Sequence, residues 1–154
     1  MRKLTASVFL VATVSIATLR AQTPTATKSL YERLGGQPAI VAVTNGLVDR
    51  ILADTRINKW FAHASSSPEN TAAYKATLAS FLCKSTGGPC EYKGADMTTV
   101  HKGRGVTDDA FNAVAENLSK QLDQLKVPAK EKGEVMALVG SLKSSIVQTG
   151  GTGK

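Results

Sequence analysis

The feature that most constrains the fold is an apolar stripe at helical spacing in the second half of the chain. Apolar side chains recur every three or four positions from Phe111 to Leu125, after a polar helix start at residues 107–109. This spacing places the apolar groups on one face of a helix, whereas a half-buried strand requires strict alternation. Similar stripes run from Ile40 to Leu52, from Tyr74 to Leu82 and from Val135 to Ile146, and no segment alternates. The sequence therefore predicts an all-α fold of about four main helices joined by shorter ones.

Capping residues, glycines and prolines predict where these helices begin and end. A capping box at residues 29–32 opens a short helix that the glycines at 35 and 36 should stop. The Ser-Ser-Ser-Pro run at 65–68 suits the start of the third helix. Asp96 can cap a short helix that carries Val100 and His101 and that Gly103 and Gly105 close. The last helix is predicted to begin at residue 128 and to continue without a break to residue 146.

The N-terminal residues have the composition of a secretory signal. A basic start at residues 1–3 precedes an apolar run from Leu4 to Leu19, with a plausible cleavage point after Ala21. We expect residues 1–21 to be a signal peptide, 22–28 a linker, 29–148 one globular domain and 149–154 a flexible Gly-rich tail. No cysteine follows the apolar run to carry a lipid anchor. The mature protein is therefore expected to be periplasmic or secreted, without a stable membrane anchor.

The charge pattern argues against nucleic-acid binding. The chain carries 19 basic and 12 acidic residues, a formal charge of +7. Loss of Arg2, Lys3 and Arg20 with the signal would leave 16 basic residues against 12 acidic ones, or +4. The remaining basic residues are spread along the chain and form no run of the kind that marks a nucleic-acid-binding tail. We expect them to form a solvated surface.

Two cysteines and two histidines limit the chemistry that the domain can support. Cys83 and Cys90 lie seven positions apart and can either form a disulfide in an oxidising compartment or remain two separate small apolar groups. His63 and His101 are far apart, so neither a zinc cluster nor a nucleophilic triad is suggested. A site with a single axial histidine remains, such as haem, which needs one imidazole and an apolar slot from the protein. Taken alone, a histidine near a helix end is more often a surface or helix-capping residue than a ligand.

Four motifs in the same order and with matching gaps make the chain resemble the group I truncated haemoglobins from about residue 30 to 147. They are Leu-Tyr-Glu-Arg-Leu-Gly-Gly at 30–36, Asp49–Asp54 followed by Trp60-Phe61, the run from Phe81 through Gly-Gly-Pro to Tyr-Lys-Gly at 92–94, and Val-His-Lys-Gly-Arg-Gly-Val-Thr at 100–107. The resemblance implies a two-over-two helical sandwich around haem b. It also implies that His101 is the proximal ligand of the iron and that Phe61 lies against the haem face. No Cys-x-x-Cys-His run supports covalent haem attachment.

The distal side departs from the family. Val48 stands where the family usually has Tyr, and Leu78 stands where it often has Gln. Those polar groups normally donate hydrogen bonds to bound oxygen. Tyr74 falls at a distal position instead. We expect its hydroxyl to donate to a ligand, with two alternatives open: tyrosinate ligation of ferric iron, or an outward orientation that leaves the pocket apolar.

The resemblance also assigns neighbours to the haem edge and face. Phe81 and Leu82 are expected to be core residues that also contact haem. Tyr92 and Arg104 can reach propionates or remain in solvent. Thr77 stands where the family often has a basic residue, so that propionate contact is missing. His63 is expected to be exposed.

The functional expectation is reversible binding of O2 or NO at five-coordinate haem iron, as an oxygen carrier or an NO scavenger with an unidentified reductase. The alternative is a haem enzyme, either an NO dioxygenase or a peroxidase-like protein, against which the apolar Val48 and Leu78 argue. A third possibility is a haem-free helical interaction module that keeps only the fold.

Overall fold

The computed structural model describes residues 27–148. The expected signal peptide, nearly all of the linker and the Gly-rich tail lie outside the described residues. Within them every regular element is a helix, so the all-α prediction is confirmed. The elements are α1 (Leu30–Leu34), α2 (Gly36–Ala53), a 3-10 turn (Asn58–Phe61), α3 (Pro68–Ser85), α4 (Met97–His101), α5 (Asp108–Gln124), α6 (Ala129–Ser141) and α7 (Lys143–Ile146).

The helix starts are set by the capping residues that the sequence indicates. Ser29 forms a complete capping box with Glu32 at the start of α1. The side chains of Ser67, Asp96 and Thr107 each accept a hydrogen bond from a backbone N–H in the first turn of α3, α4 and α5. Each cap satisfies a backbone donor that the helix itself cannot use.

The glycine stop of α1 is confirmed, and one predicted boundary is wrong. Gly35 and Gly36 both take left-handed backbone angles (φ 107° and 70°), with Gly35 as the cap of α1 and Gly36 as the first residue of α2. The last helix is not continuous, because it breaks at Leu142, whose N–H bonds the carbonyl of Val139, three residues back. The Ser141 hydroxyl also donates to the carbonyl of Leu138 (2.7 Å). A serine that bonds backbone carbonyls in this way distorts a helix.

The helices pack as a two-over-two sandwich. Helix α2 lies against both α3 and α5, and α5 lies against α6, so the pair α2–α3 faces the pair α5–α6. The centre of the core consists of fully buried aliphatic side chains: Ile40, Ile51, Ile57, Leu122 and Val135. Burial of one such side chain is worth about 1.5–3 kcal/mol, so this core is the main source of stability.

Gly46 lets α2 and α5 approach closely. A Cβ atom at this position would overlap with the side-chain amide of Gln121, which is buried beneath it. Gln121 in turn accepts a hydrogen bond from the Arg50 Nε–H (3.1 Å) and donates one to the carbonyl of Ala42 (3.3 Å). The glycine therefore makes room for a buried polar side chain whose hydrogen bonds are satisfied.

Ion pairs fasten the outer elements to this core. The Arg33 guanidinium joins α1 to α6 through the carboxylates of Glu131 (2.7 Å) and Glu134. Arg56 pairs with Asp54 (2.7 Å) and with Glu116 of α5 (2.8 Å).

Across residues 27–148 no helix is long and apolar enough to cross a membrane.

Candidate functional site

His101 is the last residue of the five-residue helix α4, and its ring is half-buried. Its Nδ1 atom lies 2.8 Å from the carbonyl oxygen of Met97, one turn earlier. A carbonyl can only accept, so Nδ1 carries the proton and Nε2 keeps its lone pair. Helix α4 itself is started by Asp96, whose carboxylate accepts from the Thr99 N–H (3.0 Å). The imidazole is thus oriented through its Nδ1–H, and Nε2 is the ring nitrogen left for a ligand role.

The loop after His101 is held by groups from distant parts of the chain. Gly103 and Gly105 adopt left-handed backbone angles, with φ of 74° and 61°. The indole N–H of Trp60 donates to the Arg104 carbonyl (3.1 Å), and the Gly105 N–H donates to Oε1 of Gln148 (2.7 Å). These bonds fix the backbone that leaves α4.

Helix α3 lies opposite this segment and carries the expected distal residues. Tyr74, Leu78 and Phe81 recur at the three- and four-residue intervals that place them along one side of the helix. The Tyr74 ring packs against Phe61, with ring centroids 5.8 Å apart. Helix α4 packs on α7 and makes no extensive contact with α3. An open slot lies between the end of α3 and the start of α4, beside the aromatic ring of Phe81.

The remaining distal residues are buried in two different ways. Val48 on α2 is completely buried, yet it stands outside the main hydrophobic cluster. Leu82 belongs to that cluster, and Leu78 packs against it from the slot side. Leu82 is thus a core residue, as expected, and its contact with haem stays a prediction. His63 is exposed, as the sequence predicts.

A cavity of about 600 Å³ opens between the end of α3 and the start of α4. The Phe81 and Tyr92 rings meet edge to face in its wall, with centroids 5.3 Å apart. The Tyr92 hydroxyl donates to the Ala95 carbonyl (3.1 Å) of its own loop. The cavity reaches to within one helical turn of His101. Its lining residues are Phe81, Lys84, Ser85, Tyr92, Gly94, Asp96 and Met97.

Tyr74 is an uncharged phenol in this environment. Burial raises its pKa to about 12, and the positive charge of Arg104 opposes that rise in part. No hydrogen bond joins the Tyr74 hydroxyl to another group within residues 27–148, and no fully buried side-chain oxygen there lacks a partner, so this hydroxyl is partly accessible. The Arg104 side chain is exposed and forms no ion pair within residues 27–148. Its expected contact with a propionate, like that of Tyr92, stays a prediction.

A disulfide joins Cys83 near the end of α3 to Cys90 in the following loop, with Cα atoms 5.8 Å apart. Of the two alternatives that the spacing left open, the structure has the bridged one. Cys83 is completely buried. The backbone of Gly88 lies so close to it that a Cβ there would overlap with the Cys83 sulfur and the Tyr31 ring. The bridge thereby fixes the loop that carries Tyr92.

Comparison with known proteins decides the family. Residues 29–148 match the bacterial-like globin family. The chain belongs to this family. The globin is 33% identical over 126 residues to the group 1 truncated hemoglobin GlbN of Mycolicibacterium paratuberculosis, with 82% of this chain and 88% of that protein covered. It is also 33% identical over 117 residues to GlbN of Synechocystis, covering 73% of this chain and 90% of the relative.

Solved structures agree with this assignment. The globin superposes on the truncated hemoglobin of Tetrahymena pyriformis in its Fe(III) form with a TM-score of 0.70 and 28% identity, over 79% of this chain and 100% of that one. A 2/2 hemoglobin from Synechococcus, in the cyanomet state and with covalently attached heme, gives a TM-score of 0.70 and 31% identity, over 78% and 98% of the two chains. The two-over-two fold is therefore shared with haem-containing structures.

The donor set of this globin fits haem. It offers one imidazole nitrogen, at His101, oriented by the Met97 carbonyl, and, within one helical turn of it, an open cavity of about 600 Å³ with Phe81 and Tyr92 in its wall. Sequence reasoning missed Met97 as the orienting group, although its position four residues before His101 on one helix was a usable signal. It also missed Lys84 and Gln148, because nothing local in the sequence indicates what they contact.

Proposed function

We propose that this globin holds haem b through Nε2 of His101 and reversibly binds a diatomic ligand, O2 or NO. The observation that carries the proposal is the 2.8 Å hydrogen bond from His101 Nδ1 to the Met97 carbonyl, which leaves Nε2 free. When bound, haem supplies an iron centre that coordinates small gaseous ligands. The side chains around the slot exclude water and orient the histidine.

Tyr74 is the residue proposed to contact the diatomic ligand. Its raised pKa keeps the hydroxyl protonated at neutral pH, which favours hydrogen-bond donation over ligation as tyrosinate. A hydroxyl without a protein partner can donate without first breaking a bond. Val48 and Leu78 supply no further donor, so Tyr74 is the single polar group proposed for this face.

Reversible binding, as a carrier or a scavenger, is favoured over NO dioxygenation or peroxidase-like chemistry. Both enzymatic reactions need stably bound oxygen or peroxide, and the apolar Val48 and Leu78 donate no hydrogen bond to such a ligand. A reductase would return ferric haem to the ferrous state. We also propose that the globin is exported through the signal at residues 1–21 and works in the periplasm or outside the cell.

The proposal is tested by optical spectra of the haem-reconstituted protein in its ferric, ferrous and carbon monoxide-bound states. The native protein and His63→Ala should give the same Soret band and the same shift with carbon monoxide, because His63 is exposed. His101→Ala should lose tight haem binding or axial imidazole ligation. Retention of native spectra by His101→Ala, or the absence of haem uptake by the native chain, would overturn the proposal.

The role of Tyr74 is tested by the rate at which the oxygenated protein loses O2 and autoxidises. Removal of one hydrogen bond to the ligand by Tyr74→Phe should raise these rates about tenfold, the equivalent of about 1.4 kcal/mol. Tyr92→Phe is the matched control, because its hydroxyl is used by Ala95. Equal rates in the native protein and Tyr74→Phe would show that the hydroxyl points away from the ligand.

A further inference from the structure

The segment that follows His101 has little packing of its own. A Cβ atom added at Gly103 or Gly105 would find nothing within 4 Å, so both glycines face open space. Their left-handed backbone turns the chain sharply within a few residues of the histidine. The buried side chain of Val106 anchors the end of this loop, and hydrogen bonds from elsewhere in the fold hold residues 102–105.

Gln148 supplies two of these hydrogen bonds. The side-chain Oε1 of Gln148 accepts from the Gly105 N–H (2.7 Å). The backbone N–H of Gln148 donates to the Val106 carbonyl (2.9 Å). Gln148 is 43 positions from Gly105. It follows the single-turn helix α7, which packs directly on α4. The residue thus ties the end of the domain to the loop behind the histidine.

The connection from Gln148 back to His101 is short. The Arg104 N–H donates to the His101 carbonyl (3.1 Å), and the next residue, Gly105, donates to Gln148. A shift of Gly105 therefore moves the last turn of α4, on which the imidazole stands. Trp60 holds the same loop from the opposite side through the Arg104 carbonyl. Without the Gln148 side chain the loop keeps the Trp60 bond and the backbone bond from the Gln148 N–H to the Val106 carbonyl, but the Gly105 N–H loses its partner.

We propose that Gln148 is a positioning residue for the proximal histidine. Its side-chain amide fixes the Gly105 backbone and thereby sets the orientation of His101 toward the iron. This inference rests on the proposed function, because it concerns how the imidazole is presented to haem. Gln148 is proposed to contact neither the diatomic ligand nor the His101 ring, and it acts through the backbone of residues 101–105.

The test compares three variants of the full chain with the native protein. Gln148→Leu keeps the size of the side chain but removes the acceptor, whereas Gln148→Glu keeps an oxygen acceptor for the Gly105 N–H. Ser144→Ala is the control, since Ser144 is exposed on α7. The readouts are the iron–histidine stretching band of the ferrous protein by resonance Raman, the rate of haem transfer to an excess of an apo-globin acceptor, and the melting temperature.

In Gln148→Leu the iron–histidine band should shift or broaden, and haem transfer should accelerate about 2- to 10-fold, as expected for one lost hydrogen bond. Gln148→Glu and Ser144→Ala should match the native protein. A lower melting temperature in Gln148→Leu with an unchanged band and an unchanged transfer rate would overturn the positioning role alone. A native protein without any iron–histidine band would instead refute the proposed function, and the positioning role with it.

Discussion

Reduction of the Cys83–Cys90 disulfide should lower the stability of the globin domain by an amount that the structure allows us to work out. The two cysteines are seven positions apart, so the bridge closes a loop of about eight residues. In the chain-entropy model a closed loop of this length restricts the unfolded chain by about 8 cal/mol/K, or about 2.5 kcal/mol at 25 °C. Little native packing should be lost, because a buried thiol at Cys83 remains a small apolar group.

This free energy translates into a large shift of the melting temperature. The domain matched by the family has about 120 residues, from 29 to 148. At about 2.1 cal/mol/K per residue its unfolding entropy is about 0.25 kcal/mol/K near the midpoint. Loss of about 2.5 kcal/mol should therefore lower the melting temperature by about 10 °C.

The assay is thermal unfolding of the haem-free protein followed by circular dichroism, with and without a phosphine reductant, with thiol titration to verify the redox state. Cys90→Ser is the control variant, because Oε1 of Gln37 lies 3.3 Å from the Cys90 sulfur and can accept from a serine hydroxyl there. The melting temperature of Cys90→Ser should match that of the reduced native protein and should not change when the reductant is added. A difference below about 2 °C between the oxidised and reduced native protein would refute the entropy argument.

Three further predictions concern single side chains. Lys126 has a left-handed backbone (φ 55°), so Lys126→Gly should stabilise the domain by about 0.5–1 kcal/mol in urea unfolding, whereas Lys126→Ala should not. Thr107→Ala removes the acceptor for the Ala110 N–H and should lower the free energy of unfolding by about 1 kcal/mol in the same assay. Thr107→Ser should retain most of the stability that the cap provides, because its hydroxyl can still accept. The Arg56 guanidinium holds the pKa of Asp54 well below its usual range, so this carboxylate contributes its full stabilisation above its unfolded pKa of about 4 and loses it progressively as the pH falls from there toward the lower folded-state pKa. Melting curves between pH 7 and pH 3 should therefore show a smaller acid-induced loss for Asp54→Asn than for the native protein.

The sequence was sufficient for the helices because local signals and packing agree in them. Phe111, Leu118 and Leu122 of the predicted stripe lie on the buried face of α5, whereas Leu125, just past its end, is exposed, and Thr107 caps the helix as its position predicts. The break at Leu142 was missed because apolar spacing alone cannot show that Ser141 bonds a backbone carbonyl. Periodicity reports which face is buried and says little about where the backbone bends.

Only the part of the site whose chemistry depends on a single residue could be predicted from the sequence. The position of His101 within the family-like motif at 100–107 was enough to select it as the candidate ligand. The pairing of Cys83 with Cys90 was undetermined, because a spacing of seven is compatible with both states and only the backbone distance decides. The contact between Gln148 and Gly105 joins residues 43 positions apart, and no local pattern encodes such a contact.

Helix α4 has only five residues, which is too short to be stable by itself, so the orientation of His101 is a property of the tertiary structure. Its start is set by Asp96 at the end of the loop that the disulfide restrains, and its end is set by the loop that Trp60 and Gln148 hold. The two ends depend on different kinds of restraint. The disulfide acts chiefly on the unfolded chain, so breaking it should lower stability more than it alters the histidine. The Gln148 hydrogen bond exists only in the folded state and lies within four residues of the histidine, so its loss should alter the ligand geometry more than the stability.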